Sequence, residues 1–366
     1  MMAVFERTDA ARSKPRKILV TGGAGYIGSH MVLALLDAGE APVVLDNLST
    51  GSRGSVPPGV PFYRGDCGDR QIVESILKEH LIDAIVHFAA SIVVSDSVVE
   101  PLAYYENNTV KSRALIETAI RCGVSKFIFS STAAVYGNPA RVPILEDSAT
   151  APINPYGRSK LMTEWILSDA ANASHLKFCA LRYFNVAGAD PAGRSGQSFA
   201  KATHLIKVAV QAALGLRDGL DVFGVDYPTA DASCIRDYVH VSDLAQAHLD
   251  ALGYLREGGE STVINVGYGR GYSVLEVIDA VKQVSGCDFP VRLQKRRAGD
   301  PATLVASNER ATSVLGWRPR HDSLPTIIEH ALDWERQLMN QRHPGHARKP
   351  LVPAFTLIGN EQRERL

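Results

Sequence analysis

The sequence predicts an α/β fold, a Rossmann-type doubly wound parallel sheet with a smaller C-terminal substrate-binding lobe. Short apolar strands alternate with amphipathic helices through the first half, beginning at Ile18–Thr21, and this alternation is typical of parallel sheets with right-handed crossovers. The first strand turns directly into a helix through Gly22, Gly25 and Gly28, as in dinucleotide-binding sheets. After Phe184 the alternation becomes irregular, which indicates a second lobe interleaved with the first domain.

The composition is ordinary for a globular chain. The 366 residues are 45% hydrophobic and 21% charged, enough for one large or two smaller domains. Because 39 basic residues balance 39 acidic ones, neither nucleic acid nor a membrane is expected as a partner. There is no secretory signal pattern and no apolar run of the roughly 18 residues that span a bilayer. Five widely spaced cysteines without a CxxC pair predict a cytoplasmic protein without a structural metal.

The first half predicts a regular order of strands and helices. The strands are Ile18–Thr21, Pro42–Leu45, Ala84–Ala90, Lys126–Ser131 and Lys177–Tyr183, and helices end at Gly39 and cover Gln71–Glu79, Tyr104–Cys122 and Tyr156–Ala173. His87, in the middle of a strand, is interpreted as a buried packing residue. The acidic pair Glu146-Asp147 is interpreted as a solvated turn with a helix-capping role.

The second half predicts a substrate-binding lobe. Its elements are a helix near Phe199–Leu214, strands at Val222-Phe223 and Val263–Val266, and helices at Val274–Val284 and Pro325–Leu338. The strand Val263–Val266 is expected to return to the main sheet. The predicted division is a flexible lead-in at 1–15, a dinucleotide-binding domain at 16–184, a substrate-binding lobe at 185–340 and a mobile tail at 341–366.

The glycine-rich stretch Lys17–His30 predicts a dinucleotide site. A strand that enters a helix through glycines presents bare backbone N–H groups and the positive end of a helix dipole to a pyrophosphate. Asp46 ends the second strand, 18 residues after Gly28, at about the distance from which an acidic residue binds the adenosine ribose. An acidic residue at that position favours NAD over NADP, because its charge repels a 2′-phosphate.

Tyr156, Lys160 and Thr132 form the predicted catalytic set. Tyr156 and Lys160 are four residues apart, so a helix places both on one face. A phenol has a pKa of about 10, and a nearby ammonium is expected to lower it. A Tyr-x-x-x-Lys spacing alone usually means two surface residues. Thr132 follows a strand that ends in Ser130-Ser131, and this context favours proton removal from an alcohol with hydride transfer to the cofactor.

A set of motifs along the chain resembles the UDP-glucose 4-epimerases of the extended short-chain dehydrogenase/reductase family. They are TGGAGYIGSH, DNLSTG, HFAA, YYENN, STAAVYG, NPYGRSK, LRYFNVAGA, VFGVDYPTADASCIRDYVHV and RRAGDPA. The early motifs are general to the superfamily, whereas the last two are more specific to the epimerases. The resemblance extends from about Lys17 to Trp334.

The resemblance implies a set of NAD contacts. They are Gly22, Gly25, Tyr26, Ile27 and Gly28 at the pyrophosphate, Asp46 and Asn47 at the adenosine ribose, Asp66 and Cys67 at the adenine, Phe88, Ala89 and Ala90 beside it, Asn107 at the nearby strand edges, and Tyr156, Lys160, Tyr183 and Phe184 at the nicotinamide half. It implies that Thr132, Tyr156 and Lys160 are catalytic.

The resemblance also implies a UDP-sugar site. Its residues are Thr132, Asn185, His204, Leu205, Phe223, Arg236, Arg297 and Asp300. Two arginines suit a diphosphate because each guanidinium can match phosphate oxygens in pairs. Without the resemblance, Arg236 and Arg297 would be interpreted as solvated surface charges.

The implied activity is interconversion of UDP-galactose and UDP-glucose. Tyr156 would take the proton of the sugar 4-hydroxyl while C4 gives a hydride to tightly bound NAD, and the 4-keto sugar would turn over before the hydride returns. A homodimer through helices 104–122 and 156–173 is also implied.

Alternative functions remain open at this stage. The substrate could be a UDP-N-acetylhexosamine, UDP-glucuronate or UDP-xylose/arabinose, since Leu304 occupies the position that gates N-acetylated sugars in the family. Ile92 stands where some relatives carry lysine, and Ala232 where glycine is common. A catalytically silent NAD-binding regulator is disfavoured because the Tyr and Lys are both present. A 4,6-dehydratase is disfavoured because Ala133-Ala134 replaces its Asp-Glu pair.

Overall fold

The computed structural model describes residues 17–200, 202–297 and 300–342. The lead-in predicted at 1–15 lies outside the described residues, as does the predicted tail from residue 343 onward.

Strands account for three sheets in this part of the chain. In chain order they are β1 Lys17–Thr21, β2 Ala41–Asp46, β3 Phe62–Arg64, β4 Ile82–His87, β5 Lys126–Ser130, β6 Lys177–Tyr183, β7 Asn185–Ala187, β8 Leu220–Phe223, β9 Ile235–His240, β10 Thr262–Val266, β11 Gly271–Ser273, β12 Val291–Gln294 and β13 Thr303–Leu304. Seven of them form the main sheet in the order β10-β6-β5-β4-β1-β2-β3. All six neighbouring pairs in it are parallel.

Helices cover both faces of this sheet and build the second lobe. They are α1 Tyr26–Asp37, α2 Arg70–His80, α3 Val94–Val99, α4 Pro101–Tyr105, α5 Lys111–Arg121, α6 Pro155–Ala173, α7 Leu205–Ala213, α8 Val241–Arg256, α9 Val274–Ser285, α10 Glu309–Leu315 and α11 Leu324–Arg342. A π-helical turn, Glu106–Val110, joins α4 to α5.

Alternate side chains of β1 enter two different cores. Ile18 and Val20 pack with residues of α1 and α8 on one face, and Leu19 packs with residues of α2 and α5 on the other. A strand that is buried on both faces has a continuous run of apolar residues. This is why such strands can be recognised in the sequence. A third core joins α7, α9 and α11 over β8 in the second lobe.

The predicted return of a strand to the main sheet is confirmed. β10 pairs in parallel with β6, with Thr262 opposite Cys179. The sequence interpretation missed β9 and α8, which follow one another directly at residue 240. α8 packs beside α1 in the first core, so a helix from the second half of the chain covers the main sheet.

Three other sequence predictions change in detail. The helix expected at Phe199–Leu214 begins only at Leu205. The helix expected at Tyr104–Cys122 is interrupted by the π-helical turn. The strand expected at Ala84–Ala90 ends at His87, which frees the next residues to form a loop at the sheet edge.

The capping role suggested for Glu146-Asp147 is wrong. Asn154 caps α6, because its Oδ1 accepts a hydrogen bond from the Gly157 amide at 2.8 Å. The Glu146 carboxylate instead accepts the backbone amide of Asn265 at 2.8 Å. The interpretation failed because the partner strand is distant in sequence.

His87 is a buried packing residue, as predicted. Its Nδ1 lies 2.6 Å from the Thr21 hydroxyl and its Nε2 lies 2.8 Å from the Ser112 hydroxyl. Burial, with the charge of Lys160 nearby, lowers the pKa of His87 to about 3. The ring is therefore neutral and links β1 and β4 to α5.

A pair of helical glycines tests how tightly α1 packs. A Cβ at Gly28 would lie 2.1 Å from the Gly22 carbonyl oxygen, whereas a Cβ at Gly253 in α8 would meet nothing within 4 Å. We expect Gly28→Ala to destabilise the protein by about 1–3 kcal/mol, because backbone atoms cannot rotate away. Gly253→Ala is expected to stabilise it by about 0.5–1 kcal/mol. Urea unfolding of both variants measures this, and equal effects would contradict the packing argument.

Candidate functional site

The candidate site lies at the carboxyl edge of the main sheet. The last residues of β1, β4 and β5 are Thr21, His87 and Ser130, and parallel strands end at the same edge. Ligands of doubly wound sheets bind in the crevice outside this edge. The loops that follow these strands contain the glycine turn, Phe88–Ala90 and Thr132.

The glycine turn has no room for side chains. Gly22 has a φ of +71°, and a Cβ there would lie 2.7 Å from the Ala89 backbone nitrogen. Gly25 is the N-cap residue of α1, and it has no side chain that could bond the first amides of the helix. A helix N-terminus that is reached by bare backbone suits a pyrophosphate, so these residues fit a dinucleotide.

The other two predicted residues of this turn face the protein. The Tyr26 hydroxyl donates to the Gly188 carbonyl at 2.7 Å, which ties the turn to the residue that follows β7. Ile27 packs against the first core. Only their backbone amides are left to contact a pyrophosphate.

Asp46 is buried at the end of β2 and already holds two backbone groups. Its Oδ2 accepts the Ala24 amide at 2.9 Å and its Oδ1 accepts the Leu48 amide at 2.7 Å. A carboxylate has about four acceptor positions, so each oxygen retains capacity for a ribose hydroxyl. Asp46 therefore fixes the glycine turn as well as facing the predicted ribose position.

Asp66 pairs with a lysine that the sequence interpretation missed. Lys111 Nζ lies 2.6 Å from its Oδ2, and the Gly68 amide donates to its Oδ1 at 2.9 Å. Burial opposes ionisation, but these two groups and the Asn47 side chain hold the pKa of Asp66 below its usual range. Cys67 beside it is buried, and burial raises the pKa of its thiol to about 12. The sequence could not predict this role of Lys111, because a lysine on a helix usually faces solvent.

The wall beside the glycine turn includes the predicted loop residues. The Phe88 amide donates to the Thr21 carbonyl at 3.0 Å, which continues the β1–β4 pairing into the loop Phe88–Ala90. The π-helical turn supplies Asn107 and Asn108, whose amides bond the Ser91 hydroxyl and carbonyl, each at 2.9 Å. Such turns are frequent at functional sites.

Thr132, Tyr156 and Lys160 come together as predicted. The Thr132 hydroxyl lies close enough to the Tyr156 phenol to act on its pKa. Lys160 Nζ donates to the Ser130 carbonyl at 3.0 Å and lies 5.0 Å from the centre of the Phe129 ring. Tyr156 is 7% exposed and Lys160 is 3% exposed, so the group is almost free of bulk water.

Burial pushes both titratable groups of this set toward their neutral forms. It raises the pKa of Tyr156, and the Thr132 hydroxyl opposes the shift. It lowers the pKa of Lys160 to about 8, against the charges of Cys67 and Glu164. The expected lowering of the Tyr156 pKa by the Lys160 ammonium is not found, since burial raises this pKa and the opposing group is the Thr132 hydroxyl.

A buried ion pair lies next to Thr132, Tyr156 and Lys160. Arg182 and Glu164 are 2.6 Å apart, and the Ser131 hydroxyl donates to the Glu164 carboxylate. The sequence interpretation missed Glu164, although its position four residues after Lys160 places it on the same helix face.

Tyr183 and Phe184, predicted on the nicotinamide side, lie at the end of β6. The Tyr183 hydroxyl lies 2.6 Å from the Ser130 hydroxyl. The Phe184 amide donates to the Val266 carbonyl at 3.2 Å, and its buried ring packs in a small cluster with Ala133 and Leu304.

Apart from Thr132, the predicted substrate residues lie in the second lobe. Asn185 is exposed in β7, opposite Tyr238 of β9. His204 precedes α7, which begins at Leu205. Burial lowers the pKa of His204, and the charge of Lys207 adds to the effect.

Two arginines present positive charge in this lobe. Arg297 stacks over the Phe223 ring at 3.7 Å from its centre. Arg236 is 8% exposed, with its guanidinium 4.0 Å from the Asp300 carboxylate. The alternative interpretation as a solvated surface charge is therefore wrong for Arg236, whereas Arg297 is exposed.

The three departures from the family motifs have different surroundings. Leu304 is buried and stands opposite Arg236 in the β9–β13 pairing, so it connects the arginine strand with the Phe184 cluster. Ala232 has a φ of +63°, a backbone conformation that favours glycine. Ile92 is 49% exposed.

The described residues contain neither a membrane-spanning helix nor a cluster of side chains that could bind a metal ion. No helix among them is long and apolar enough to cross a membrane. No group of three or more His, Cys, Asp or Glu side chains is arranged to hold a metal ion.

The parallel sheet, the glycine turn and the buried Tyr-Lys pair define a dinucleotide-binding enzyme of the α/β class. Comparison with known proteins narrows this class. The model of the NAD dependent epimerase/dehydratase family matches residues 18–267, and the chain belongs to this family.

Each of the following similar proteins is named as a 4-epimerase of a UDP-sugar. A UDP-glucose 4-epimerase of Azospirillum brasilense is 56% identical over 90% of this chain and 95% of its own. The crystal structure of a Brucella ovis UDP-glucose 4-epimerase in complex with NAD has a TM-score of 0.84 and 44% identity, covering 87% of this chain and 98% of that one. The UDP-Glc/GlcNAc 4-epimerase of Campylobacter jejuni has a TM-score of 0.77 and 52% identity, covering 88% and 99%.

The contact between Lys111 and Asp66 can be tested by charge removal. We expect Lys111→Met to raise the pKa of Asp66, because the cation that favours its ionised form is lost. Arg113→Met is the matched control, since Arg113 lies on the same helix but pairs with Glu117 at 3.1 Å. An NMR titration of the Asp66 carboxyl measures both, and an unchanged pKa in Lys111→Met would refute the assignment.

Proposed function

We propose that this chain is an NAD-dependent 4-epimerase that interconverts UDP-glucose and UDP-galactose. The observation that carries the proposal is the buried Tyr156, with the Thr132 hydroxyl nearby and Lys160 one helical turn away, beside a glycine turn that fits a dinucleotide. The names of the similar proteins support the substrate pair. In this proposal residues 16–184 bind NAD and residues 185–340 bind the UDP-sugar.

We assign each part of NAD to the residues that lie nearest to its expected position at the sheet edge. The glycine turn receives the pyrophosphate, Asp46 and Asn47 the ribose, and Asp66 with Cys67 the adenine. Phe88–Ala90 and Asn107 form the wall, and Tyr183 and Phe184 line the nicotinamide half. NAD bound by these residues would supply reversible hydride transfer.

Tyr156 acts as the base in this mechanism. Its phenolate accepts the proton of the sugar 4-hydroxyl, and the Thr132 hydroxyl holds that proton in line between the two oxygens. Lys160, one helical turn from Tyr156 on α6, is the cation that would favour the phenolate once the sugar and the cofactor occupy the site. The same tyrosine returns the proton to the oxygen of the 4-keto sugar, and inversion results because the sugar has turned its other C4 face toward the hydride donor.

The second lobe holds the UDP portion during this turnover. Arg236 and Arg297 bind the diphosphate, with Phe223 and Asp300 fixing the two guanidinium groups. Asn185, His204 and Leu205 contact the UDP-sugar from β7 and the start of α7. A sugar held only through its diphosphate is free to rotate, and rotation is what inversion at C4 requires.

A homodimer is part of the proposal. Val98, Val99 and Leu102 of α3 and α4 are exposed, as is Trp165 of α6, and a second copy of the chain would cover this apolar face. The dimer would use the predicted helices 104–122 and 156–173. A monomer in sedimentation experiments at micromolar concentration would contradict it.

A cytoplasmic location is proposed as well. All five cysteines are free in the structure, which suits a reducing compartment. Recovery of the native protein outside the cytoplasm in cell fractionation would contradict this location.

The experiment that tests the function is a panel of UDP-sugars. Purified protein is expected to convert UDP-galactose to UDP-glucose without added reductant, and denaturation should release NAD rather than NADP. Chromatography of the products measures the conversion. If the NAD-loaded protein converts no UDP-sugar in the panel, the proposal is wrong.

Removal of one oxygen atom tests the base. Tyr156→Phe is expected to lower kcat by about 10²–10⁴-fold while UDP binding is retained, since only proton transfer is lost. Tyr254→Phe is the matched control, because Tyr254 bonds the Glu260 carbonyl far from the site. Full activity of Tyr156→Phe would rule out the assigned role.

UDP-N-acetylhexosamines are the second candidate substrates. The similar Campylobacter jejuni protein is named for both sugar types, and Leu304 is smaller than tyrosine. We expect Leu304→Tyr to lower kcat/KM for an N-acetylated UDP-sugar more than for UDP-glucose, because the bulkier ring narrows the pocket. Steady-state kinetics with both substrates decides, and an equal loss would count against a gating role.

A further inference from the structure

Helix α11 supports the segment that leads into α7. Lys207 of α7 pairs with Glu335 of α11, and its ammonium also donates to the Gln197 carbonyl. The side chains of Lys207 and Glu335 are 7% and 2% exposed. One buried ammonium therefore joins α7, α11 and the backbone at Gln197.

This buried pair is poorly explained by stability alone. Each charge that leaves water loses roughly several kcal/mol of solvation free energy. A protein with two apolar residues of similar volume in place of the pair is often as stable or more stable. What such a pair adds is direction, because an ammonium bonds its acceptors at fixed positions. Gln197 is the backbone position that Lys207 fixes.

Further contacts extend the support to both ends of the segment. A Cβ at Gly196 would lie 2.4 Å from the Trp334 ring, so the chain before Gln197 rests on α11. The side-chain nitrogen of Gln197, Nε2, lies 3.5 Å from Nδ1 of His204. Gln211 donates to the second oxygen of Glu335 at 3.4 Å, which orients the carboxylate toward α7.

The supported residues stand between the two halves of the candidate site. A cavity of about 20 Å³ among them is lined by Tyr26 of the glycine turn and by His204. Gln197 also lines a larger cavity that reaches Ala24 and Ser52 on the cofactor side. A shift of Gln197 would therefore be felt at His204 and Leu205.

We propose that Glu335 is a positioning residue for the UDP-sugar. Acting through Lys207, it holds Gln197, His204 and Leu205 in the arrangement that binds substrate, without touching the substrate itself. This inference rests on the proposed function, since it takes His204 and Leu205 as substrate contacts. It assigns the C-terminal helix a part in setting substrate affinity.

Two variants separate positioning from folding. Glu335→Gln keeps the shape but leaves a buried ammonium without its anion. The double variant Lys207→Met/Glu335→Leu removes both charges and is expected to fold at least as stably as the wild type. In both, the bond to the Gln197 carbonyl is weakened or lost.

Substrate affinity should fall while chemistry continues. We expect KM for UDP-galactose and the Kd for UDP to rise about tenfold in the double variant, the effect of about one charge-assisted hydrogen bond. The kcat should stay within about twofold, because Tyr156 and Thr132 are held by other elements. Asp333→Asn is the matched control on α11, since Asp333 pairs with Arg336 on the surface, and it should match the wild type.

Calorimetry with UDP, steady-state kinetics and thermal unfolding decide the outcome. A double variant with the wild-type melting temperature and wild-type Kd and KM would overturn the inference, and so would a fall in kcat at unchanged KM. If the wild type binds UDP but converts no UDP-sugar, the proposed reaction fails while the Kd comparison still judges Glu335. Absence of UDP binding by the wild type would overturn both.

Discussion

The close approach of the Gly22 turn to the backbone after β4 is the contact on which the site depends. A side chain at Gly22 would collide with Ala89, and one at Gly28 would collide with Gly22 itself. Because no side chain intervenes, α1 begins at the edge of the sheet with its first amides turned to the crevice. Asp46 then bonds Ala24, so the adjacent strand end holds the same turn.

The electrostatics of the site follow from its burial. Tyr156 and Lys160 are both removed from water, and each is driven toward its neutral form. In water the pKa values of a phenol and an amine are about 10 and 10.4, whereas in this site burial moves them apart, because that of Tyr156 rises and that of Lys160 falls to about 8. An anionic substrate and a cationic cofactor ring entering such a site act at short range with little screening, and they set which group holds the proton.

The second half of the chain contributes to both halves of the site. α8 covers the main sheet beside α1, and β10 extends that sheet next to β6. α11 supports the start of α7 through a buried ion pair. The two lobes are thus built from interleaved segments, and a cut at residue 184 would separate β6 from its partner β10.

The sequence by itself determined the sheet, the cofactor type and the grouping of Tyr156 with Lys160 and Thr132. Buried parallel strands are read from continuous apolar runs, the turn from glycines that no other residue can replace, and Tyr156 with Lys160 from helical spacing. These are local signals, each contained in a few neighbouring residues. Tertiary structure alone decided the partners of Asp66, Glu146 and Lys207, and the burial of Arg236. Each of these depends on a chain segment far away in sequence, and a charged residue looks the same in a sequence whether water or a buried counter-charge surrounds it.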